Sequence, residues 1–82
     1  MIIHSPEELA IVLKSHRKKQ KLSQAEVGEL VGVKQSTVSA FENKPGSTQL
    51  ETLFQILSAA NVDIYIFPKD VDFRKNLWKE EW

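Results

Sequence analysis

The sequence predicts a mainly α-helical domain organised round a helix-turn-helix, with one β-strand after its last long helix. Three observations predict it. Over residues 24–43 (QAEVGELVGVKQSTVSAFEN) apolar side chains recur at Val27, Leu30, Val31, Val33, Val38 and Phe41. That is the inward set needed by two helices packed at about 90–120° round a turn of about 3–4 residues. Ser5 with Glu8, Ser23 with Glu26, and Thr48 with Glu51 each have the spacing of a capping box, in which hydroxyl and carboxylate satisfy each other's backbone N–H groups. At residues 62–67 (VDIYIF) the period changes to strict alternation of β-branched and aromatic residues, closed by Pro68.

The elements follow in order. Ser5 caps helix 1 and Pro6 takes its first position. Leu9, Val12 and Leu13 form its apolar face with His16 beside them, a packed residue rather than a base. The helix ends near residues 19–21, where cations suit the C-terminal dipole. Helix 2 opens at Ser23 and must stop at Gly32. Gly28, in mid-helix, costs about 1 kcal/mol against Ala, so it predicts that helix 3 crosses too close for a side chain. Helix 3 spans about residues 34–43, and the NKPG break at 43–46 ends it. Helix 4 follows, with Leu50, Leu53, Phe54 and Leu57 expected to face the core.

The strand is the odd element, because a lone strand leaves its backbone groups without partners. It can pair with residues 2–4 of the same chain or with its own copy in a second subunit. The second is favoured, since a homodimer also enlarges the small core of a chain this size. The expected dimer interface is Val62, Ile64, Tyr65 and Ile66. Residues 70–82 are polar, with Phe73, Leu77, Trp78 and Trp82 set among them. Phe73 and Leu77 stand four apart, as in a short helix. Trp is enriched at interface centres, so Trp78 and Trp82 are candidate partner-binding residues; the alternative for Trp78 is packing back on the domain. The chain thus divides into a helix-turn-helix and dimerisation domain, 1–68, and a tail, 69–82.

Composition narrows the function. With 82 residues, 41% hydrophobic and 27% charged, the chain has the balance of one small globular domain. It has no Cys, which excludes disulfides and thiolate metal sites. No apolar run approaches the about 18–20 residues of a membrane span, and MIIHSPEE has no signal-peptide pattern, so a cytoplasmic location is expected. The only histidines, His4 and His16, stand in no metal motif, and Gly28, Gly32 and Gly46 make no phosphate loop. No catalytic residue, metal or cofactor is expected. Net charge is zero, yet Lys14, Arg17, Lys18, Lys19 and Lys21 gather five of the eleven basic residues. Such a patch, doubled in a dimer, can attract phosphate.

A helix-turn-helix presents the N-terminal residues of its second helix to base edges in the major groove. Here these are Lys34, Gln35 and Ser36, with Ser39 one turn along. Gln pairs bidentately with adenine and Lys reaches guanine O6 or N7. Thr37 suits base or phosphate, and Ala40 leaves room for a thymine methyl. Gln24, in the first turn of helix 2, is placed to meet a phosphate with helical N–H groups behind it. Expected backbone contacts are Arg17, Lys18, Lys19, Ser23, Gln24, Thr37 and Asn43.

Residues 9–60, with LSQAEVGELVGV, Gly28, Gly32, Val38 and the Phe41-Glu42-Asn43 ending, closely resemble the Cro/C1 (XRE) helix-turn-helix family. The resemblance implies a lambda-repressor-like bundle of four or five helices, dimeric binding to palindromic double-stranded DNA operators, and an ion pair between Arg17 and Glu42 that orients Arg17 towards the DNA backbone. A narrower resemblance rests on KQSTVSAFENKPGSTQLETLFQIL, the following strand and the Glu-Trp ending: the chain is similar to antitoxins of the HipB type. It implies a strand paired across the dimer, repression of the chain's own operon with Lys34 and Gln35 as base readers, and Trp82 as tail anchor on a HipA-like serine/threonine kinase toxin, in one chain or split in two. Residues 70–79 are richer in apolar side chains than that pattern. The alternatives are a stand-alone Cro/C1-type repressor without a toxin partner and an interaction module that has lost DNA binding; Gln35, Ser36 and Ser39 weigh against the latter.

Overall fold

The computed structural model describes residues 2–69. Among them are four α-helices: α1 (Pro6–Lys19), α2 (Gln24–Val31), α3 (Gln35–Asn43) and α4 (Leu50–Ala59), with a single 3-10 turn over Pro45–Ser47 before α4. None is long and apolar enough to cross a membrane. The residues of the expected tail helix and both tryptophans, Phe73, Leu77, Trp78 and Trp82, lie outside the described residues.

Local chemistry sets the helix starts. Ser23 and Glu26 form the full capping box of α2: the Ser23 hydroxyl accepts from the Glu26 N–H at 3.0 Å, and the Glu26 carboxylate accepts from the Ser23 N–H at 2.8 Å. The backbone bond from Ser23, and then its side chain, hold the Glu26 carboxyl below its ordinary range. At α1 the Ser5 hydroxyl accepts from the Glu8 N–H at 3.1 Å, but Glu8 reaches one residue further back, to the His4 N–H at 2.8 Å. The third expected box does not form. Thr48 donates its N–H to the Pro45 carbonyl at 3.1 Å and so closes the 3-10 turn. The cap of α4 therefore falls to Gln49, whose side chain makes no capping bond. Likewise Lys34, expected inside α3, is its N-cap.

The turn between α2 and α3 uses both of its glycines. Gly32 ends α2 at φ +74°, the left-handed region where a side chain is disfavoured, with open space around it. Gly28 is a matter of space. A Cβ there would lie 2.5 Å from the Val33 carbonyl oxygen. The close neighbour is thus the backbone of the turn, rather than the crossing helix expected from the sequence.

The core joins Ala10 and Leu13 of α1, Phe41 of α3, and Ile56 and Leu57 of α4, flanked by Leu9, Leu53 and Val62. Val27 and Val38 seal the α2–α3 contact at 1% and 0% exposure. Three expected core residues are outside it. Leu30 is 63% exposed. Val27, Gly28 and Val31 define the inward face of α2, and at 3.6 residues per turn Leu30 stands about 110° from its centre. Leu50 and Phe54 are also exposed, on a second apolar stripe of α4. After α4 the chain reverses at Asn61, with φ +59°, and Val62 donates to the Leu57 carbonyl at 3.0 Å. Among the described residues no strand forms: residues 62–67 have no ladder with residues 2–4. Ile64, Tyr65 and Ile66 stay exposed.

Candidate nucleic-acid interface

One face of α3 is sealed by Val38 and Phe41 against the domain. The other carries exposed Lys34, Gln35, Ser36 and Ala40, with Thr37 and Ser39 half-buried at its edges. The sequence-predicted base readers thus share the start and outer side of one rigidly backed helix. The α2–α3 turn, fixed by Gly28 and Gly32, sets its angle.

Behind this face runs a continuous chain of polar side chains. Arg17 of α1 grips Glu42 of α3 in a two-pronged pair, Nε to Oε2 at 2.7 Å and Nη2 to Oε1 at 3.0 Å. Its Nη1 donates to the Leu22 carbonyl at 2.8 Å. The pair implied by the family resemblance therefore exists, with Arg17 and Glu42 side chains only 11% and 4% exposed. Gln24 of α2 donates its Nε2–H to Glu42 Oε1 at 2.9 Å. Its Oε1 accepts from Gln35 Nε2 at 2.7 Å. Burial by itself pushes the Glu42 carboxyl up. The hydrogen bonds from Arg17 and Gln24, with the charges of Arg17 and Lys14, outweigh burial and hold the group below its ordinary range.

The sequence assigned Gln24 and Gln35 separately, one to a phosphate and one to a base, and did not join them. The signal was available: both are the first residues of consecutive helices in a helix-turn-helix, and their 11-residue separation is bridged by the turn. Of the expected backbone-contacting residues, Lys18 and Lys19 are exposed, and Ser23 is exposed but engaged in its cap. Arg17 has three of its five N–H donors committed inside the protein. Asn43 donates to the Ser39 carbonyl and hydroxyl at 3.0 and 3.2 Å, tying the end of α3 to its middle. Thr37 and Gln24 are half-buried. A second surface is an open hollow lined by apolar Phe54, Leu57, Val62, Ile64, Tyr65 and Ile66 and by polar Ser58, Asn61 and Asp63. His16 is half-buried with its ring against the Gln20 amide, which donates to the Ala60 carbonyl. Among the described residues no group of acidic residues and histidines could hold a metal ion.

The helix-turn-helix family model matches residues 13–67. The chain is 39% identical over 62 residues to the antitoxin HipB of Escherichia coli O6:H1 (strain CFT073) and, equally, to that of Escherichia coli K12. These matches cover 76% of this chain and 66% and 70% of the two relatives, so the chain spans about two thirds of their length. Its fold superposes on a chain of a solved HipA-HipB-O2-O3 complex with a TM-score of 0.83 and 34% identity, over 85% of this chain and 99% of the other.

Proposed function

This chain belongs to the HipB antitoxin family of Cro/C1-type helix-turn-helix proteins, and on that premise we propose that it represses its own operon as a homodimer on a palindromic operator and is the antitoxin of a HipA-like serine/threonine kinase toxin. One observation carries the DNA reading: α3 is anchored by Val38 and Phe41 while Lys34, Gln35 and Ser36 stand exposed on its start. In this reading Lys34, Gln35, Ser36 and Ser39 read bases. Lys18, Lys19, Ser23, Gln24, Thr37 and Asn43 meet the backbone, and Arg17 turns its two uncommitted N–H donors to a phosphate. Residues 62–67 pair with their copy in the second subunit, through Val62, Ile64, Tyr65 and Ile66. The exposed apolar surface there, continued by Phe54, supports that pairing. Residues 1–68 form the DNA-binding and dimerisation unit. Residues 69–82 form the tail, which docks on the toxin through Trp78 and Trp82; a relative of this fold solved together with HipA supports the toxin partner. The protein acts in the cytoplasm, where its operator lies, and performs no catalysis of its own.

The test is co-expression with the kinase-like protein encoded beside it, together with duplex binding. The full chain should co-purify with the toxin and prefer its operator to a scrambled duplex. Deleting residues 70–82 should lose the toxin and spare the DNA. Equal loss of both would place the tail within the DNA-binding fold and refute this division of labour.

A further inference from the structure

One side chain ties the end of α1 to the end of α4. Gln20, the C-cap of α1, donates from Nε2 at 3.0 Å to the carbonyl of Ala60, the C-cap of α4. The same nitrogen lies 3.0 Å from Nε2 of half-buried His16, one turn back on α1. Amide nitrogen and oxygen are hard to tell apart by position alone. A carbonyl only accepts, however, so Gln20 must turn its NH2 group to Ala60. That group has only hydrogens to offer His16 as well. The His16 Nε2 is therefore the acceptor, and the ring is neutral with its proton on Nδ1.

A second proton cannot enter the ring without breaking this arrangement. With N–H groups on both ring nitrogens, His16 has no lone pair for the Gln20 NH2 group. Turning the amide to offer its oxygen to the ring sets that oxygen against the Ala60 carbonyl. One of the two bonds is lost either way. The charged groups within a turn of His16 on α1 are Arg17, bound to Glu42, and exposed Lys18 and Lys19. From the end of α4 the ring is approached by the Ala60 carbonyl through Gln20, and the next acid along that chain is exposed Asp63. Among the described residues no carboxylate forms an ion pair with the ring to offset the lost bond.

Ala60 stands where the chain reverses. It is 2% exposed, and Asn61 follows at φ +59°. Asn61 and Val62 then donate their N–H groups to the Ser58 and Leu57 carbonyls at 3.1 and 3.0 Å. Residues 62–67 leave from this reversal. We infer that His16 is a proton-operated latch on it: the neutral ring holds Gln20 closed on Ala60, and protonation releases the reversal and weakens assembly through residues 62–67. The effect on assembly rests on the dimer reading above; the latch itself does not.

The experiment uses the full chain at about pH 7.5 and about pH 5.5, within the range where histidine changes charge. Glu42, held below its ordinary 4.5, contributes nothing in this window. At the higher pH the carbon and nitrogen chemical shifts of the His16 ring should report the Nδ1–H tautomer; a proton on Nε2 overturns the inference. Hydrogen-exchange protection of the Asn61 and Val62 amides, corrected for intrinsic exchange, should fall about 2- to 13-fold at the lower pH, the worth of one hydrogen bond. His16→Gln keeps an acceptor that does not titrate, and its protection should match at the two pH values. Gln20→Met removes the tie and should show the low protection at both; because it retains His4, it also controls for that residue's titration. Wild-type protection that stays constant, or that falls equally in His16→Gln, overturns the inference and leaves the dimer reading intact. In sedimentation the wild-type dimer should dissociate more readily at the lower pH, and the His16→Gln dimer equally at both. A wild-type dimer indifferent to pH overturns the effect on assembly. A chain that is monomeric at both pH values overturns the dimer reading instead, and the latch is then decided by the tautomer and the protection.

Discussion

Glu42 joins three helices through a single side chain. It closes the pair with Arg17 and holds Gln24, and both pair members are nearly buried. Removing one member of a buried pair leaves the other charge unpaired, at about 3–5 kcal/mol. Such a loss is a large share of the about 4–12 kcal/mol expected for a chain of this length. Glu42→Gln should therefore lower the urea midpoint sharply; a change within about 0.5 kcal/mol, typical of a surface site, would mean the pair does not hold α1 to α3. The pH dependence has a definite sign. The folded carboxyl is held below its ordinary value of 4.5. Its stabilisation is then fully present above that value and is lost as pH falls through the lower, folded one. Between neutral pH and 4.5 this group should contribute no slope, and below it the wild type should lose stability more steeply than Glu42→Gln. The pattern of basic residues and the FEN ending made the pair itself legible through family resemblance. Its extension through Gln24 to Gln35 was not, because it needs three helices in place.

Among the elements, the α2–α3 turn carries the most consequence, since it aims α3. Its two glycines work by different means and should respond differently. At Gly32 a methyl meets open space but a disfavoured backbone, at about 1–2 kcal/mol. At Gly28 a methyl would meet the Val33 carbonyl at 2.5 Å, and backbone cannot move aside as a flexible side chain would. Gly28→Ala should thus shift the turn as well as destabilise the domain, by about 1–3 kcal/mol for forced overpacking. It should weaken operator binding beyond what its unfolded fraction explains, whereas folded Gly32→Ala should bind nearly as the wild type does. Equal DNA affinity per folded molecule for both variants would show that the turn does not set the angle of α3. Helix starts tell a related lesson. The Ser23 box was readable because its four residues belong to one helix start. The Thr48 box was misread because the preceding 3-10 turn claims Thr48 first.

For the whole molecule, the unresolved demand is apolar surface. Ile66 is 72% exposed, Tyr65 65%, Phe54 58% and Ile64 44%, all around one hollow. Covering them with a second copy would also pair the backbone of residues 62–67. In the dimer proposed above, two α3 helices should stand about 34 Å apart, one turn of DNA. Ile64→Asp should then convert a sedimenting dimer into a folded monomer that binds operator half-sites weakly. Retention of the dimer would move the interface elsewhere. A residue that is 44% exposed in the single chain should tolerate Asp without unfolding the domain, so the readout is assembly rather than stability.

What the sequence determined by itself is local. Helix extents, the Gly32 stop and the Ser23 box depend on residues three or four apart, and so does the polar outer face of α3; such contacts are encoded by residues close in the chain. Tertiary structure decided which apolar residues are core and which polar ones are joined. Leu30, Leu50 and Phe54 have helical spacing but lie on faces that no other element covers among the described residues. Arg17 and Glu42 are 25 residues apart and Gln24 and Glu42 are 18 apart. Contacts at such separations follow from how helices cross, which no local period encodes.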